Sequence, residues 1–168
     1  DTPSSKISID NVAPVIAAAG STTNLDQTLA TPTTGIALAS NGTVVEAGGI
    51  GSIQLKVRGL RSGSVEKLVV NGAATEIDAS GSGTSGSFTF TATSVIWNWR
   101  YNSITNTFNF STSSNNATAA QAQALLNSLT YKTTAATADD VRQFAFTATD
   151  VAGNISNEAV SKVGVATQ

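Results

Sequence analysis

The chain of 168 residues contains no cysteine, no histidine and no methionine, and it has only three prolines. The absence of thiol and imidazole groups excludes cysteine nucleophiles, serine–histidine–aspartate triads and structural zinc sites. Among metal ions it leaves the hard cations calcium and magnesium, which prefer oxygen ligands. Any metal site must therefore be built from carboxylates, amide oxygens, backbone carbonyls and water.

Charged side chains are also scarce, at 12% of the residues, against about 25% in typical domains. The net charge of −2 argues against a nucleic-acid partner, which would need a basic surface. No run of about 18 apolar residues is present, so membrane insertion is not expected. Pairs of carboxylates can hydrolyse glycosides, but the sequence places no two of them at catalytic distance. We predict a monomeric protein that is not an enzyme.

The chain is rich in Thr and Ser, with 24 and 20 copies. It also contains many short segments in which apolar and polar residues alternate, as is typical of β-strands. Residues 53–58 alternate apolar and polar side chains, and Asn71-Gly72 predicts a hairpin between residues 65–70 and 73–77. The Gly/Ser/Thr-rich residues 79–87 predict a loop. Three Phe-x-Phe pairs are expected to point inwards: Phe88 and Phe90, Phe108 and Phe110, Phe144 and Phe146.

One short helix is predicted where Thr118 and Gln121 have the spacing of a capping box. The polar residues 1–14 are predicted to be a linker. Residues 15–168 are predicted to form one all-β domain, an antiparallel β-sandwich with that single helix.

The most aromatic segment carries Trp97, Trp99 and Tyr101 on one side of a predicted strand and Asn98 and Arg100 on the other. The aromatic side has two interpretations. It packs in the core of the sandwich, or it is an exposed platform on which a sugar ring stacks.

Three parts of the chain, its two ends and a helix-then-strand part, resemble a known family. Residues 9–14 (Ile-Asp-Asn-Val-Ala-Pro) and 146–156, which contain Thr-Asp-Val-Ala-Gly-Asn, resemble the first and last segments of immunoglobulin-like and cadherin-like modules in giant bacterial adhesins of the repeats-in-toxin type. Residues 122–131 followed by Arg142-Gln143-Phe144 resemble the helix-then-strand part of the same modules. The chain is longer than the usual module of about 100 residues, so the resemblance implies an enlarged version of that fold.

The resemblance also implies a function. It predicts an extracellular, calcium-dependent module on a bacterial cell surface that binds a peptide or protein ligand in attachment and biofilm formation. Two alternatives remain open, a non-binding extender module that calcium makes rigid and a carbohydrate-binding sandwich. The expected partners are a peptide, protein or glycan on another cell and neighbouring modules of the same chain.

Candidate calcium ligands lie near both ends of the predicted domain. Asp150 and Asn154 flank a Gly turn that can bring two side-chain oxygens together, and Asp10 and Asn11 could approach the same end. Asp139 and Asp140 form the only adjacent acidic pair. The alternative is that Asp150 and Asn154 only build an Asx-type turn and that the acidic pair is only solvated. Other acidic residues, including Glu46 and Glu66, are expected on solvated faces or turns.

Overall fold

The structure is a computed structural model that describes residues 10–18, 36–60, 66–70, 75–78, 85–91, 93–133 and 140–165. These residues form twelve strands and one helix. The elements in chain order are β1 Val15–Ala17, β2 Ile36–Ala37, β3 Thr43–Val45, β4 Ile50–Arg58, β5 Glu66–Val70, β6 Thr75–Asp78, β7 Ser85–Phe90, β8 Val95–Asn102, β9 Thr107–Thr112, α1 Ala119–Ser128, β10 Leu129–Thr133, β11 Asp140–Asp150 and β12 Ala159–Val165. The predicted Asn71-Gly72 turn, Asp139 and residues 1–9 of the predicted linker lie outside the described residues.

Two sheets make up the body of the molecule. Six strands pair in the order β12-β11-β4-β9-β8-β7, and four pair in the order β2-β10-β5-β6. A separate two-stranded ribbon joins β1 to β3. Every pairing is antiparallel. The predicted all-β, antiparallel sandwich with one short helix is confirmed.

The core lies between the two sheets, where alternate side chains of each strand meet. All six residues of the Phe-x-Phe pairs are buried, as predicted. The ring of Tyr131 on β10 packs against Phe144 on β11 with their centroids 5.1 Å apart. Because these strands belong to different sheets, this contact joins the two layers directly.

The aromatic side of β8 faces this core. Trp97 is fully buried and Trp99 is partly buried against the same cluster. Tyr101 is buried as well, and its ring stacks on Phe108 at a centroid distance of 4.4 Å. The core interpretation of Trp97 is confirmed, and a fully buried indole cannot stack on a sugar.

A buried ion pair connects the two sheets. The guanidinium of Arg142 on β11 donates to Glu66 Oε1 on β5 from Nε at 3.0 Å and from Nη2 at 2.7 Å. The two side chains are only 3% and 1% exposed. The expectation that Glu66 is solvated was therefore wrong. Its partner, Arg142, lies on a distant strand of the other sheet, so no local sequence pattern predicts the pairing.

Helix α1 begins where the sequence predicted. Gln121 N donates to Thr118 Oγ1 at 3.2 Å, and Thr118 N donates to Gln121 Oε1 at 2.8 Å, which completes the capping box. Near its other end, Asn127 exchanges two hydrogen bonds with the backbone of Gly42, just before β3. The helix thereby fixes the segment that leads into β3. No helix in the described part of the chain is long and apolar enough to cross a membrane.

The loop predicted over residues 79–87 extends too far at its C-terminal end, because its last three residues belong to a strand. Strand β7 already begins at Ser85, and residues 85–87 pair with residues 98–100 of β8. Gly and Ser have little intrinsic preference for strands, so here the pairing with β8 decides the structure. The Cβ of any other residue at Gly86 would lie about 3.0 Å from Nε1 of Trp99, so the indole covers this glycine closely.

Removing one member of the buried ion pair should be costly. We expect Arg142→Met to lower the free energy of unfolding by about 3–5 kcal/mol, because the buried Glu66 carboxylate loses its counter-charge. The double variant Glu66→Leu/Arg142→Met should be clearly more stable than the single variant, because it buries no charge. Urea unfolding of the three proteins measures both differences. A single-variant loss below about 1 kcal/mol would contradict the burial of this pair.

Removing the helix cap should have a smaller effect. Thr118→Ala leaves the Gln121 N–H without its acceptor and should cost about 1 kcal/mol. Thr118→Ser keeps the hydroxyl and should be close to the parent protein. Equal urea midpoints for the Ala and Ser variants would show that the cap does not contribute.

Candidate metal centre

Three carboxylates from separate parts of the chain meet at one end of the sandwich. Asp10 precedes β1, Glu46 follows β3, and Asp150 is the last residue of β11. One carboxylate oxygen from each residue lies within 4.8 Å of the other two. Asp150 is buried, whereas Glu46 is half-buried and Asp10 lies near the surface.

The buried carboxylate of Asp150 is held by the turn that follows β11. Its Oδ1 accepts from the backbone N–H of Asn154 at 2.8 Å, and its Oδ2 accepts from the Asn154 side-chain nitrogen at 2.7 Å. The turn closes through Gly153, whose N–H donates to the Asp150 carbonyl at 3.2 Å. Gly153 has a φ of +94°, a conformation that glycine adopts without strain.

The pKa of Asp150 results from two opposing effects. Burial raises it, because the charged form loses hydration. Hydrogen bonds from the Asn154 side chain and from the backbone N–H groups of Asn154, Ala152 and Gly153 lower it. The hydrogen bonds prevail, so the pKa of Asp150 lies below its ordinary value. Asp150 is therefore a fixed, ionised carboxylate at neutral pH.

Asn154 positions two of the three acidic residues. Besides holding Asp150, its side-chain nitrogen donates to the backbone carbonyl of Asp10 at 3.2 Å. It is the Asn154 nitrogen that faces Asp150, so in this arrangement Asn154 orients a ligand instead of supplying an oxygen beside it. The interpretation of Asp150 and Asn154 as an Asx-type turn thus describes the local geometry.

The turn between β3 and β4 brings Glu46 to the site. Glu46 Oε1 accepts from the N–H of Gly48 at 2.6 Å. A Cβ atom at Gly48 would lie 2.6 Å from Asp10 Oδ2 and 3.3 Å from Glu46 Oε1. A side chain at residue 48 would therefore push the Asp10 carboxylate away from this position.

The N-terminal segment is fastened to the sandwich next to the site. The side chain of Asn157 accepts from Ile16 N at 3.1 Å and donates to Ile16 O at 2.8 Å. Pro14 and Ile16 are buried, and Asp10 Oδ1 accepts from Val12 N at 3.1 Å. These contacts determine where Asp10 lies relative to β11.

The three carboxylates have no counter-charge among the described residues. No Lys or Arg in that part of the chain forms an ion pair with Asp10, Glu46 or Asp150. Like charges at this spacing repel one another, and a cation between them removes the repulsion. The cluster could therefore hold a metal ion.

The predicted ligands fall into three groups. Asp10, Asp150 and Asn154 lie together, as the sequence suggested, and Asn11 lies beside them on the surface. Asp140 begins β11, the 11-residue strand that Asp150 ends, so the two backbones are roughly 30 Å apart. A metal site at Asp139 and Asp140 stays a prediction, because Asp139 and the side chain of Asp140 are outside the described residues.

Sequence reasoning missed Glu46 as a ligand candidate. The signal that could have found it is the Glu46-Ala47-Gly48-Gly49 segment, an acidic residue directly before a tight glycine turn. Gly49 has a φ of +102°, and a Cβ there would collide with the side chain of Asn116. The turn therefore depends on its glycines, and it directs Glu46 towards Asp10.

Comparison with known proteins identifies no relative. No protein-family model, no curated protein and no solved structure matches the chain. The function must therefore be inferred from the chain's own residues.

The lowered pKa of Asp150 predicts a specific acid sensitivity. A carboxylate whose folded-state pKa lies below its unfolded value of about 3.9 stabilises the fold fully above that pH. This contribution is lost as the pH falls through the lower, folded-state pKa. In the presence of a chelator, we expect Asp150→Asn to show a shallower decline of Tm below about pH 4 than the parent protein. Parallel Tm curves for the two proteins would contradict the assignment.

Proposed function

We propose that this chain is a calcium-stabilised, extracellular β-sandwich module of a large bacterial adhesin. In this proposal the ion binds among Asp10, Glu46 and Asp150 and fastens the N-terminal segment to the sandwich. The observation that carries the proposal is the convergence of three carboxylates from three separate segments, within 4.8 Å of one another.

The donor set favours calcium among biological cations. All three candidate ligands are carboxylates, and the chain has no His or Cys to attract zinc or other soft metals. The oxygen spacing is no greater than about twice the Ca–O distance of about 2.3–2.6 Å. Calcium also accepts irregular coordination completed by water and backbone carbonyls, whereas magnesium demands a tighter octahedron.

The position of the ligands supports a role in stiffening the module at its N-terminal side. Asp10 belongs to the segment that leads into the first strand, while Glu46 and Asp150 belong to the sandwich. A cation that binds all three restricts the rotation of that segment relative to the domain. A chain of such modules would then transmit force and hold its ligand-binding parts away from the cell. This supports the extender alternative at this site.

The composition is compatible with an extracellular location. The chain lacks Cys and Met, the residues whose sulfur atoms are most readily oxidised. The proposed partners remain neighbouring modules of the same adhesin and a ligand on another cell, and the proposed process is attachment and biofilm formation.

Calcium should stabilise the protein through the three-carboxylate site. Binding to the native state alone adds RT ln(1 + [L]/Kd), or about 2.7 kcal/mol at a free concentration of 100 Kd. We expect millimolar calcium to raise Tm by several degrees over a sample in EGTA, and equimolar magnesium to raise it less. Differential scanning calorimetry measures both shifts.

Two variants test whether the shift arises at this site. Glu46→Gln removes one ligand charge and should abolish most of the calcium-dependent shift. Glu158→Gln is the matched control, because Glu158 pairs with Arg58 away from the cluster, and it should retain the full shift. The absence of a calcium effect on the parent protein, or an equal effect in both variants, would overturn the proposal.

A further inference from the structure

The outer face of the six-stranded sheet carries a polar groove of about 980 Å³. Its floor is formed by the solvent-facing side chains of adjacent strands, and its rim by the turn between β8 and β9. The residues that line it include Gln54 and Lys56 on β4, Asn109 on β9, Arg100 on β8, Ser85 on β7 and Ile104 in the turn.

Strand register arranges the floor of this groove as a row. Gln54 lies opposite Asn109, Asn109 opposite Arg100, and Arg100 opposite Ser85. Adjacent strands are about 4.8 Å apart, so the row presents an amide, an amide, a guanidinium and a hydroxyl at regular intervals. Gln54, Asn109 and Arg100 are exposed, while their neighbours along each strand are buried or, for Trp99, partly buried.

The groove is positively charged although the chain as a whole is negative. Arg100 and Lys56 line it, and no acidic residue does, among the described residues. Lys56 lies close enough to Glu158 to lower the pKa of that carboxyl, after the larger effect of the hydrogen bond from Arg58. The side chain of Arg100 forms no ion pair or hydrogen bond within the described part of the chain. Its guanidinium is therefore available to bind a carboxylate with two parallel hydrogen bonds.

A second polar recess of about 360 Å³ adjoins the groove at Asn109, which lines both. Ser52, Ser111 and Asn115 contribute further hydroxyl and amide groups there. Asp150 also lines this recess, so a carboxylate of the ligand belongs at the Arg100 end and neutral hydroxyls belong here. Two adjoining recesses lined by polar groups fit an extended ligand better than a single small anion.

The chemistry of the floor distinguishes between classes of ligand. A peptide that binds by strand addition pairs with the backbone of an edge strand. Three of the four strands of the floor, β4, β9 and β8, are each paired on both sides, and only β7 lies at the edge of the sheet. Single-stranded nucleic acid needs aromatic rings for base stacking, and the aromatic residues of β8 point into the core. Amides and hydroxyls in rows instead match the hydroxyl groups of a sugar chain.

The turn at the rim adds an apolar contact. Ile104 is 93% exposed, and its position is fixed because Asn102 Oδ1 accepts from Ile104 N at 2.9 Å and from Thr105 N at 3.2 Å. An aliphatic side chain at this place can pack on the C–H face of a pyranose ring.

From these observations we propose that the outer sheet face binds a carboxylate-bearing polysaccharide. In this proposal Arg100 binds a uronate carboxylate and Ile104 contacts the face of a sugar ring. Sugar hydroxyls form hydrogen bonds with Gln54, Asn109 and Ser85. This site lies on the opposite side of β8 from Trp97 and Trp99, and it does not require a bound metal.

Binding of defined polysaccharides by the full 168-residue chain tests the proposal. Alginate, polygalacturonate and hyaluronan oligomers are titrated in EGTA by isothermal calorimetry, with neutral dextran and maltohexaose oligomers and a hexaglutamate peptide as comparison ligands. At least one carboxylated oligomer should bind, more weakly at high ionic strength, and the neutral oligomers and the peptide should bind at least tenfold more weakly.

Surface variants then locate the site. Arg100→Gln should weaken binding about tenfold or more, because it removes a charge-assisted hydrogen bond, and Asn109→Ala should weaken it without any change of charge. Lys162→Gln is the matched control, because this exposed lysine on β12 does not line the groove, and it should bind like the parent protein. Arg100→Gln and Asn109→Ala change exposed side chains, so the Tm of each variant should stay near that of the parent protein.

Three results would overturn the assignment. They are the absence of binding to every carboxylated oligomer, equal or tighter binding of hexaglutamate, and unchanged affinity in Arg100→Gln. Because the titrations contain EGTA, they report on the groove alone, and the calcium proposal succeeds or fails separately in the calorimetric experiment above.

Discussion

The two-residue alternation of side chains along the strands is the constraint on which the rest of this structure depends. In β8 it places Trp97 and Tyr101 in the core and Arg100 on the outside. In β4 and β9 the same alternation buries aliphatic and aromatic residues while Gln54 and Asn109 face solvent. A core with large rings and an outer face of amides are therefore two consequences of one backbone geometry. A shift of register by one residue would exchange the two faces.

The candidate metal centre depends on strand ends, where alternation no longer applies. There the chain turns through glycines, and short polar side chains organise the backbone. Asn154 orients the buried Asp150 and binds the backbone of Asp10, and Gly48 leaves room for two carboxylates. Most hydrogen bonds at the site join residues only a few positions apart, whereas the carboxylates they hold come from distant segments. Such a site can assemble only when the β1–β3 ribbon lies against the end of β11.

The features that the sequence predicted well are those encoded locally. The capping box of Thr118 and Gln121 and the turn from Asp150 to Asn154 each need only a few consecutive residues, and both occur as expected. The features that sequence reasoning missed depend on distant partners. Glu46 becomes a candidate ligand only because the end of β3 lies near the end of β11. Residues 85–87 form a strand only because β8 pairs with them. The burial of Glu66 belongs to the same class, since Arg142 lies on the other sheet.

That buried pair also bears on how the chain avoids misfolding. A slip of β5 by two residues would keep the same face of the strand towards the core. Only the native pairing brings the carboxylate of Glu66 to the guanidinium of Arg142 between the sheets. If β5 paired in a shifted register, one charge would be left unpaired in the core and the other would be exposed to solvent. The pair thus favours the native register of β5 over a slipped one, and a change at either position alone would remove that preference.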